Sequence, residues 1–287
     1  MNLNILYRGE LSSCNYDCPY CPFAKHWESQ QELDADQRHL DSFCTWVDQS
    51  EIGSLGIFFT PWGEALVRRW YQEAIVRLSR VHHVNKVAIQ TNLSGRLNWL
   101  AEADRSKVAL WCTFHPGQTT VTSFLKQCAH LDELGVRYSV GCVGLREHIE
   151  DFEELRSRLS LAVYVWVNAD ENLVDYYDHQ LVEKFTSIDP HFPTNNTHHS
   201  SLGQACRTGQ TVFSVDGQGN IRRCHFVKQI IGNIYDPDFL SVLKPRTCPN
   251  MTCSCHIGYV HLERLNLDQI YGQGILERIP AEWSNRM

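Results

Sequence analysis

Three cysteines near the start of the chain are close enough in sequence to bind one metal cluster together. They are Cys14, Cys18 and Cys21, in the run CNYDCPYC, which follows a short apolar segment. Cysteine thiolates are ligands of iron–sulfur clusters and of structural zinc. Three thiolates would hold three corners of a four-iron cluster and leave the fourth iron open. An open iron can bind a small molecule and pass it an electron, which predicts redox chemistry at this position.

Zinc is the alternative for this run, because Cys-x2-Cys pairs also bind zinc. Structural zinc usually has four protein ligands, and His26 follows Cys21 closely enough to supply the fourth. Spacing alone therefore leaves zinc open. The three-then-two spacing, the preceding strand and the aromatic Tyr20 favour iron.

The run resembles the signature of the radical S-adenosylmethionine (SAM) enzymes, including Tyr20 before the last cysteine. The resemblance implies a [4Fe-4S] cluster with an open iron site, with Cys14, Cys18 and Cys21 as its ligands and as catalytic residues. It also implies SAM as a cofactor and an electron donor of the flavodoxin or ferredoxin type. In such enzymes, reductive cleavage of SAM gives a 5′-deoxyadenosyl radical that abstracts a hydrogen atom.

Three later positions resemble the SAM-binding residues of that superfamily. In FFTPWGEAL, Gly63 and Glu64 resemble the glycine–glutamate motif that binds the methionine amino group, although Trp62 stands where a first glycine is usual. Asn92, at the tip of strand three, resembles the polar contact to the ribose; a simple helix cap is the alternative. Arg146, after strand five, is a candidate partner of the methionine carboxylate or an ordinary surface arginine.

Some histidines also bear on the site. His115, in TFHPG after strand four, is expected to point toward the same pocket as a substrate contact, although a structural turn is the more common role. We interpret His198 and His199 as residues of an exposed loop and not as a metal site.

A second group of cysteines lies in the last third of the chain. Its spacing, with an upstream cysteine and a G-x4-C element from Gly219, resembles the "twitch" module, a shortened SPASM extension that holds one auxiliary [4Fe-4S] cluster. Five thiols compete for at most four places, and His256 is a possible substitute ligand; a zinc knuckle is the alternative. The five cysteines are Cys206, Cys224, Cys248, Cys253 and Cys255.

The segments before this group alternate short apolar runs with amphipathic ones, which predicts a parallel α/β fold. Val67, Trp70, Tyr71 and Ala74 indicate one helical stripe. Six strand–helix units resemble the partial (β/α)6 barrel of the radical SAM core. We therefore expect this core over residues 1–190 and a small cysteine-rich, twitch-like module over residues 191–287. The predicted strands cover residues 3–7, 55–59, 87–90, 108–113, 138–143 and 162–167.

Composition limits the remaining possibilities. The 287 residues are 43% hydrophobic and carry a net charge of −7, which argues against general nucleic-acid binding. No apolar stretch approaches a membrane span and no signal peptide is evident, so we expect a cytoplasmic protein without a membrane partner. Four single cysteines are predicted to be buried as small hydrophobes. They are Cys44, Cys112, Cys128 and Cys142.

The residues leave more than one type of substrate open. Many twitch and SPASM enzymes modify ribosomally made peptides, by crosslinking or backbone excision, and others oxidise small metabolites. Strand one begins at residue 3, which leaves no room for an N-terminal leader-binding domain, so a peptide substrate would need a small partner protein. We favour a peptide over a small metabolite. A non-catalytic, zinc-stabilised binding protein is the third possibility.

Overall fold

The structure is a computed structural model that describes residues 1–21, 23, 27–170 and 175–284. His26, the possible fourth zinc ligand, lies outside the described residues. Nine helices of the described part are α1 Gln30–Gln49, α2 Arg69–Ser79, α3 Val121–Leu134, α4 Ile149–Arg158, α5 His179–Ile188, α6 Phe192–Asn195, α7 His256–Tyr259, α8 Asp268–Tyr271 and α9 Ala281–Ser284.

One nine-stranded sheet organises the chain. Its strands are β1 Asn2–Arg8, β2 Ser54–Phe59, β3 Val84–Thr91, β4 Val108–Thr113, β5 Arg137–Val143, β6 Val165–Asn168, β9 Val212–Asp216, β10 Asn220–Arg222 and β11 Ile230–Asn233. The order is β11-β10-β9-β1-β2-β3-β4-β5-β6. Strands β1 to β6 are all parallel, and helices connect most of them, so the predicted α/β fold with six parallel strands is confirmed. β9 and β10 form an antiparallel hairpin.

The hairpin extends the sheet of the core. β9 pairs in parallel with β1, from Asn4 opposite Val212 to Arg8 opposite Asp216. Four two-residue strands lie around the second cysteine group: β7 His199–Ser200, β8 Ala205–Cys206, β12 Arg246–Thr247 and β13 Thr252–Cys253. β12 pairs with β8, and β13 pairs with β7.

The helix ends follow local sequence signals. Ser29 and Glu32 form a reciprocal capping box at the start of α1. Thr120 caps α3, which ends at Gly135 with φ of +65°, a conformation that favours glycine. The predicted stripe on α2 is wrong at Val67, which is 41% exposed. The Glu64 side chain accepts a hydrogen bond from Leu66 and caps a 3-10 turn there, so the helix begins later, at Arg69.

The two faces of the sheet pack against different parts of the chain. Strand residues such as Ile5 and Ile57 belong to a core shared with the helices, and the four single cysteines are buried there as predicted. Alternate residues such as Leu6, Phe58 and Trp111 belong to a second core with the C-terminal tail, residues 256–283. Since successive strand residues point to opposite faces, the tail covers the inner face of the partial barrel. None of the described helices is long and apolar enough to cross a membrane.

Two buried charges secure the tail. Glu277 is completely buried and pairs with Lys86 and Arg137. The guanidinium of Arg278 lies 4.8 Å from the ring centroid of Trp166, and its Nη1 donates to Asn168 Oδ1 at 2.5 Å. Paired charges are tolerated in a protein interior, whereas a lone one is costly. The tail is therefore a fixed part of the fold.

Candidate active site

A cavity of about 220 Å³ contains most of the predicted site residues. It lies where the loops leave the carboxyl ends of the first strands, the usual ligand-binding edge of such sheets. The apolar side of its lining includes Phe23 and Trp62, whose rings are 5.1 Å apart. The predicted residues that line it are Cys14, Cys18, Tyr20, Cys21, Gly63, Glu64, Asn92 and His115.

The cysteine loop rests directly on the end of β2. A Cβ atom at Gly63 would lie 1.8 Å from the carbonyl oxygen of Ser13, so only glycine fits. The next backbone N–H, of Glu64, donates a hydrogen bond to that same oxygen at 3.1 Å. Because Ser13 precedes Cys14, this contact places the first thiol beside the Glu64 carboxylate.

Glu28 holds the loop from its other side. Its Oε1 accepts hydrogen bonds from the backbone N–H groups of Ser12 and Ser13, at 2.5 and 2.6 Å. Sequence reasoning did not identify Glu28, since a single glutamate before a helix is ordinary. Charge-assisted bonds of this kind are stronger than neutral ones, so the loop is anchored before any ligand binds.

Polar groups surround the three thiols. Cys14 Sγ accepts from the Tyr16 backbone N–H at 3.4 Å and from Asn92 Nδ2 at 3.8 Å. Cys18 Sγ lies 3.4 Å from His115 Nδ1, and Tyr20 OH lies 3.0 Å from the same nitrogen. Hydrogen bonds to sulfur are one means by which proteins tune iron–sulfur clusters.

His115 is buried as well as polar. Burial lowers its pKa to about 4, with a smaller contribution from the charge of His148. The imidazole is therefore neutral at physiological pH. The prediction that it points into the pocket is confirmed. Within the described part of the chain, no group of three or more His, Cys, Asp or Glu side chains converges closely enough to hold a single metal ion.

Glu64 is a buried carboxylate that has donors but no cation. Its Oε1 accepts from Leu66 N and Thr91 Oγ1, both at 2.9 Å, and its Oε2 from Asn92 N. Burial nevertheless raises the pKa of Glu64 to about 7, and the three hydrogen bonds oppose the rise. No salt bridge to Glu64 occurs among the described residues. The Glu64 carboxylate therefore has hydrogen-bond donors around it but no cationic partner among the described residues.

Asn92 and Arg146 have different environments. Asn92 lies against Cys14 and Asn15, and no helix begins at this position, so the helix-cap alternative is wrong. Arg146 is not in the described lining of the cavity. Its guanidinium pairs with Asp178 at 3.0 Å and lies 5.8 Å from the Tyr176 ring centroid, on the surface. The structure does not bring Arg146 to the other site residues.

Arg8 was missed by sequence reasoning because it ends a strand and belongs to no motif. Its Nε donates to the Thr60 carbonyl at 2.7 Å, and its guanidinium lies 4.1 Å from the Trp62 ring centroid. It lines the same cavity as the three thiols. The site therefore contains one buried acid, Glu64, and one cation, Arg8.

The five C-terminal cysteines lie near one another in the fold, although not close enough in this structure to form a metal-binding group among the described residues. Cys206 lies opposite Arg246 in the β8–β12 pair, and Cys248 follows that pair directly. Burial raises the pKa of Cys224 to about 11, and the charges of Cys206 and Cys248 contribute. Burial also raises the pKa of Cys253, with contributions from all four other thiols of the group.

His199 and His256 lie near this group, and both are buried. The exposed-loop interpretation is wrong for His199, which is buried because its ring packs 4.9 Å from the Tyr259 ring and its Nε2 contacts the Thr194 carbonyl at 2.9 Å. His256 faces the inner core, with its ring 5.4 Å from that of Trp111 and its Nδ1 3.2 Å from Tyr259 OH.

Comparison with solved structures identifies the fold. The structure of native anSMEcpe with bound AdoMet and the Cp18Cys peptide is 14% identical, covers 82% of this chain and 78% of its own, and has a TM-score of 0.56. The complex of BtrN with AdoMet and 2-DOIA is 18% identical over 85% and 89% of the chains, but its TM-score is only 0.38. No family model and no curated protein matches the sequence. The chain therefore shares the fold of anSMEcpe, in agreement with the predicted partial α/β barrel.

The contact between Gly63 and Ser13 generates a prediction about the cysteine loop. We expect Gly63→Ala to displace the loop, because the new methyl group would overlap the Ser13 carbonyl. The thermal midpoint should fall by several degrees, corresponding to about 1–3 kcal/mol, and Cys14 and Cys18 should react faster with a thiol reagent. Gly53→Ala is the control, because its Cβ would come no closer than 3.3 Å to another atom. Equal stability and thiol reactivity in the two variants would contradict this assignment.

Proposed function

We propose that this protein is a radical SAM enzyme. The observation that carries the proposal is one cavity lined both by three clustered thiols and by a buried carboxylate that lacks a cation. Thiolates suit the irons of a cluster, and an uncompensated carboxylate suits the amino group of methionine. Cys14, Cys18 and Cys21 would hold a [4Fe-4S] cluster, and Glu64 would bind SAM.

A cluster held by Cys14, Cys18 and Cys21, reduced by a flavodoxin- or ferredoxin-type donor, would supply the electron for reductive cleavage of SAM to a 5′-deoxyadenosyl radical. The chain's own residues position and protect the reacting groups. Glu64 orients the methionine moiety, and Asn92 lies beside Cys14, within reach of a ligand in the cavity. Trp62 and Phe23 line one side of the cavity with aromatic surface. Arg146 remains a weaker candidate for the methionine carboxylate.

The second cysteine group supports an auxiliary cluster. Its thiols lie near one another beside the hairpin that extends the core sheet, so a cluster there would lie close to the first cavity. We infer that residues 191–287 form the twitch-like module and residues 1–190 the SAM-cleaving core. An auxiliary [4Fe-4S] cluster would accept an electron from the substrate radical and make the overall reaction oxidative.

A peptide is the substrate that we favour. The anSMEcpe structure that shares the fold contains a bound peptide together with AdoMet, which supports a peptide here. Crosslinking or backbone excision, aided by a small leader-binding partner protein, is the expected reaction; oxidation of a small metabolite is the alternative. Mass spectrometry of a precursor peptide encoded near the enzyme, incubated with and without the partner, distinguishes the two.

The thiol assignment is tested by a pair of cysteine variants. After anaerobic iron–sulfur reconstitution and reduction, the native protein should convert SAM to 5′-deoxyadenosine. Cys18→Ala should abolish this activity, because the thiol in the cavity is lost. Cys44→Ala removes an equally buried thiol from the helical core and should leave cleavage within about twofold of the native rate. Full cleavage by Cys18→Ala, or native protein that holds only zinc, would refute the proposal.

The pKa of Glu64 generates a pH prediction. Above a pH of about 7 the carboxylate is charged and can bind an ammonium group, whereas below it the carboxyl is neutral. SAM affinity should therefore fall as the pH falls through about 7. Glu64→Gln should bind SAM about tenfold more weakly at pH 8 and lose this step, as measured by anaerobic calorimetry. Glu73→Gln, on the exposed face of α2, should behave like the native protein. An identical pH profile in Glu64→Gln would count against the role of this residue.

The auxiliary cluster has its own variant test. Cys224→Ala should lose roughly half of the iron, while the absorption of the first cluster and SAM cleavage without substrate persist. Product formation should stop, because the electron from the substrate radical then lacks an acceptor. Cys128→Ala, buried in α3, is the control and should keep all of its iron. Unchanged iron content in Cys224→Ala would exclude this thiol as a ligand.

A further inference from the structure

A second cavity, of about 370 Å³, adjoins the first one. Arg8 and Trp62 line both cavities and so form a wall that they share. The far side of the second cavity comes from the hairpin of β9 and β10, including Asp216, Arg222 and His225. A molecule larger than SAM alone therefore has room to extend from the first cavity past Arg8 toward the C-terminal segment.

The other charged side chains that line the second cavity each contact a partner side chain. Arg222 pairs with Asp216 at 2.7 Å, and Glu10 pairs with His39 at 3.1 Å. His225 Nε2 lies 2.8 Å from Thr60 Oγ1. Across the two linings, within the residues that the structure describes, Arg8 is the cation that makes no ion pair.

Arg8 is also held in place. The hydrogen bond from its Nε to Thr60 and the stacking on Trp62 fix the guanidinium plane. Burial lowers the pKa of Arg8 to about 10, and the charge of Cys255 offsets only part of this effect. The side chain thus remains charged at physiological pH, and this half-buried cation makes no ion pair among the described residues.

We propose that Arg8 binds an anionic group of the substrate and so holds the reactive carbon beside the cysteine loop. The proposal rests on the proposed function and adds a substrate class to it. A guanidinium presents parallel N–H donors that match a carboxylate or a phosphate. The anion would belong either to an acidic residue or carboxyl terminus of a peptide, or to a phosphorylated metabolite.

The position of Arg8 separates it from the SAM-binding residues. Arg8 also lines the second cavity, whose lining includes His225, the neighbour of Cys224 in the C-terminal group, whereas Glu64 and Cys14 line only the first cavity. Arg8 therefore lies on the side of the cavity that faces the proposed auxiliary cluster. An anion held there would place a substrate between the two clusters, where an electron can pass onward after hydrogen abstraction.

Binding of simple probes to the reconstituted protein tests the proposal. N-acetylglutamate α-amide represents an acidic residue in a peptide, inorganic phosphate represents a phosphorylated metabolite, and N-acetylglutamine α-amide is the neutral control. At constant ionic strength, calorimetry should show saturable binding of at least one anion and none of the neutral amide. The tighter anion identifies the source of the group.

The variants are chosen to separate binding from folding. Arg8→Gln should weaken anion binding at least tenfold, whereas Arg69→Gln, an equal charge change on the exposed face of α2, should leave it within twofold. Arg8→Lys keeps the charge and should still prefer the anions to the neutral amide, which provides the test if Arg8→Gln does not fold. Thermal midpoints report folding in each case.

Three results would overturn the proposal. They are an absence of saturable anion binding by the native protein, anion binding that is unchanged in folded Arg8→Gln, and a folded Arg8→Lys that does not distinguish charged from neutral probes. A tenfold loss of SAM affinity in folded Arg8→Gln would likewise assign Arg8 to SAM and contradict it. Because these assays measure binding, failure to cleave SAM would refute the proposed function without affecting the test of Arg8.

Discussion

The close contact between the cysteine loop and the end of β2 is the constraint on which the site depends. At position 63 only glycine fits against the Ser13 carbonyl. The neighbouring Glu64 N–H donates a hydrogen bond to that same oxygen. The contact sets the distance between the first thiol and the buried carboxylate. Trp62, at the first position of the motif, packs instead against Phe23 and the Arg8 guanidinium.

Two opposite charges on the two sides of the cavity follow from this arrangement. Glu64 is buried with hydrogen-bond donors and Arg8 with an aromatic ring and a carbonyl, and neither has a counter-ion among the described residues. Leaving such charges unpaired costs folding free energy, and ligands that supply the opposite charge recover it. Such a site has a lower folding stability than one with paired charges, and it is selective for ligands that carry the opposite charge.

The sequence predicted those features that depend on short spacing or local periodicity. The cysteine run, the Gly63–Glu64 turn and the six parallel strands all belong to this class. The anchors that act across the fold were not visible: Arg8 and Glu28 are single charges in ordinary surroundings. Arg146 was a candidate for the pocket because it follows β5, but it lies at the surface. Its partner there is Asp178, which is distant in sequence and could not be foreseen from the local pattern.

The packing of the C-terminal tail could not be predicted from local sequence patterns either. Residues 256–283 have short helices and no clear period, yet they cover the inner face of the partial barrel and are fixed there by Glu277 and Arg278. The cysteines Cys253 and Cys255 directly precede this tail. Because the tail and β9 both join the core, the second cysteine group cannot move independently of the first cavity. The fold therefore keeps the two groups of thiols at a set separation, as the proposed electron transfer between two clusters would require.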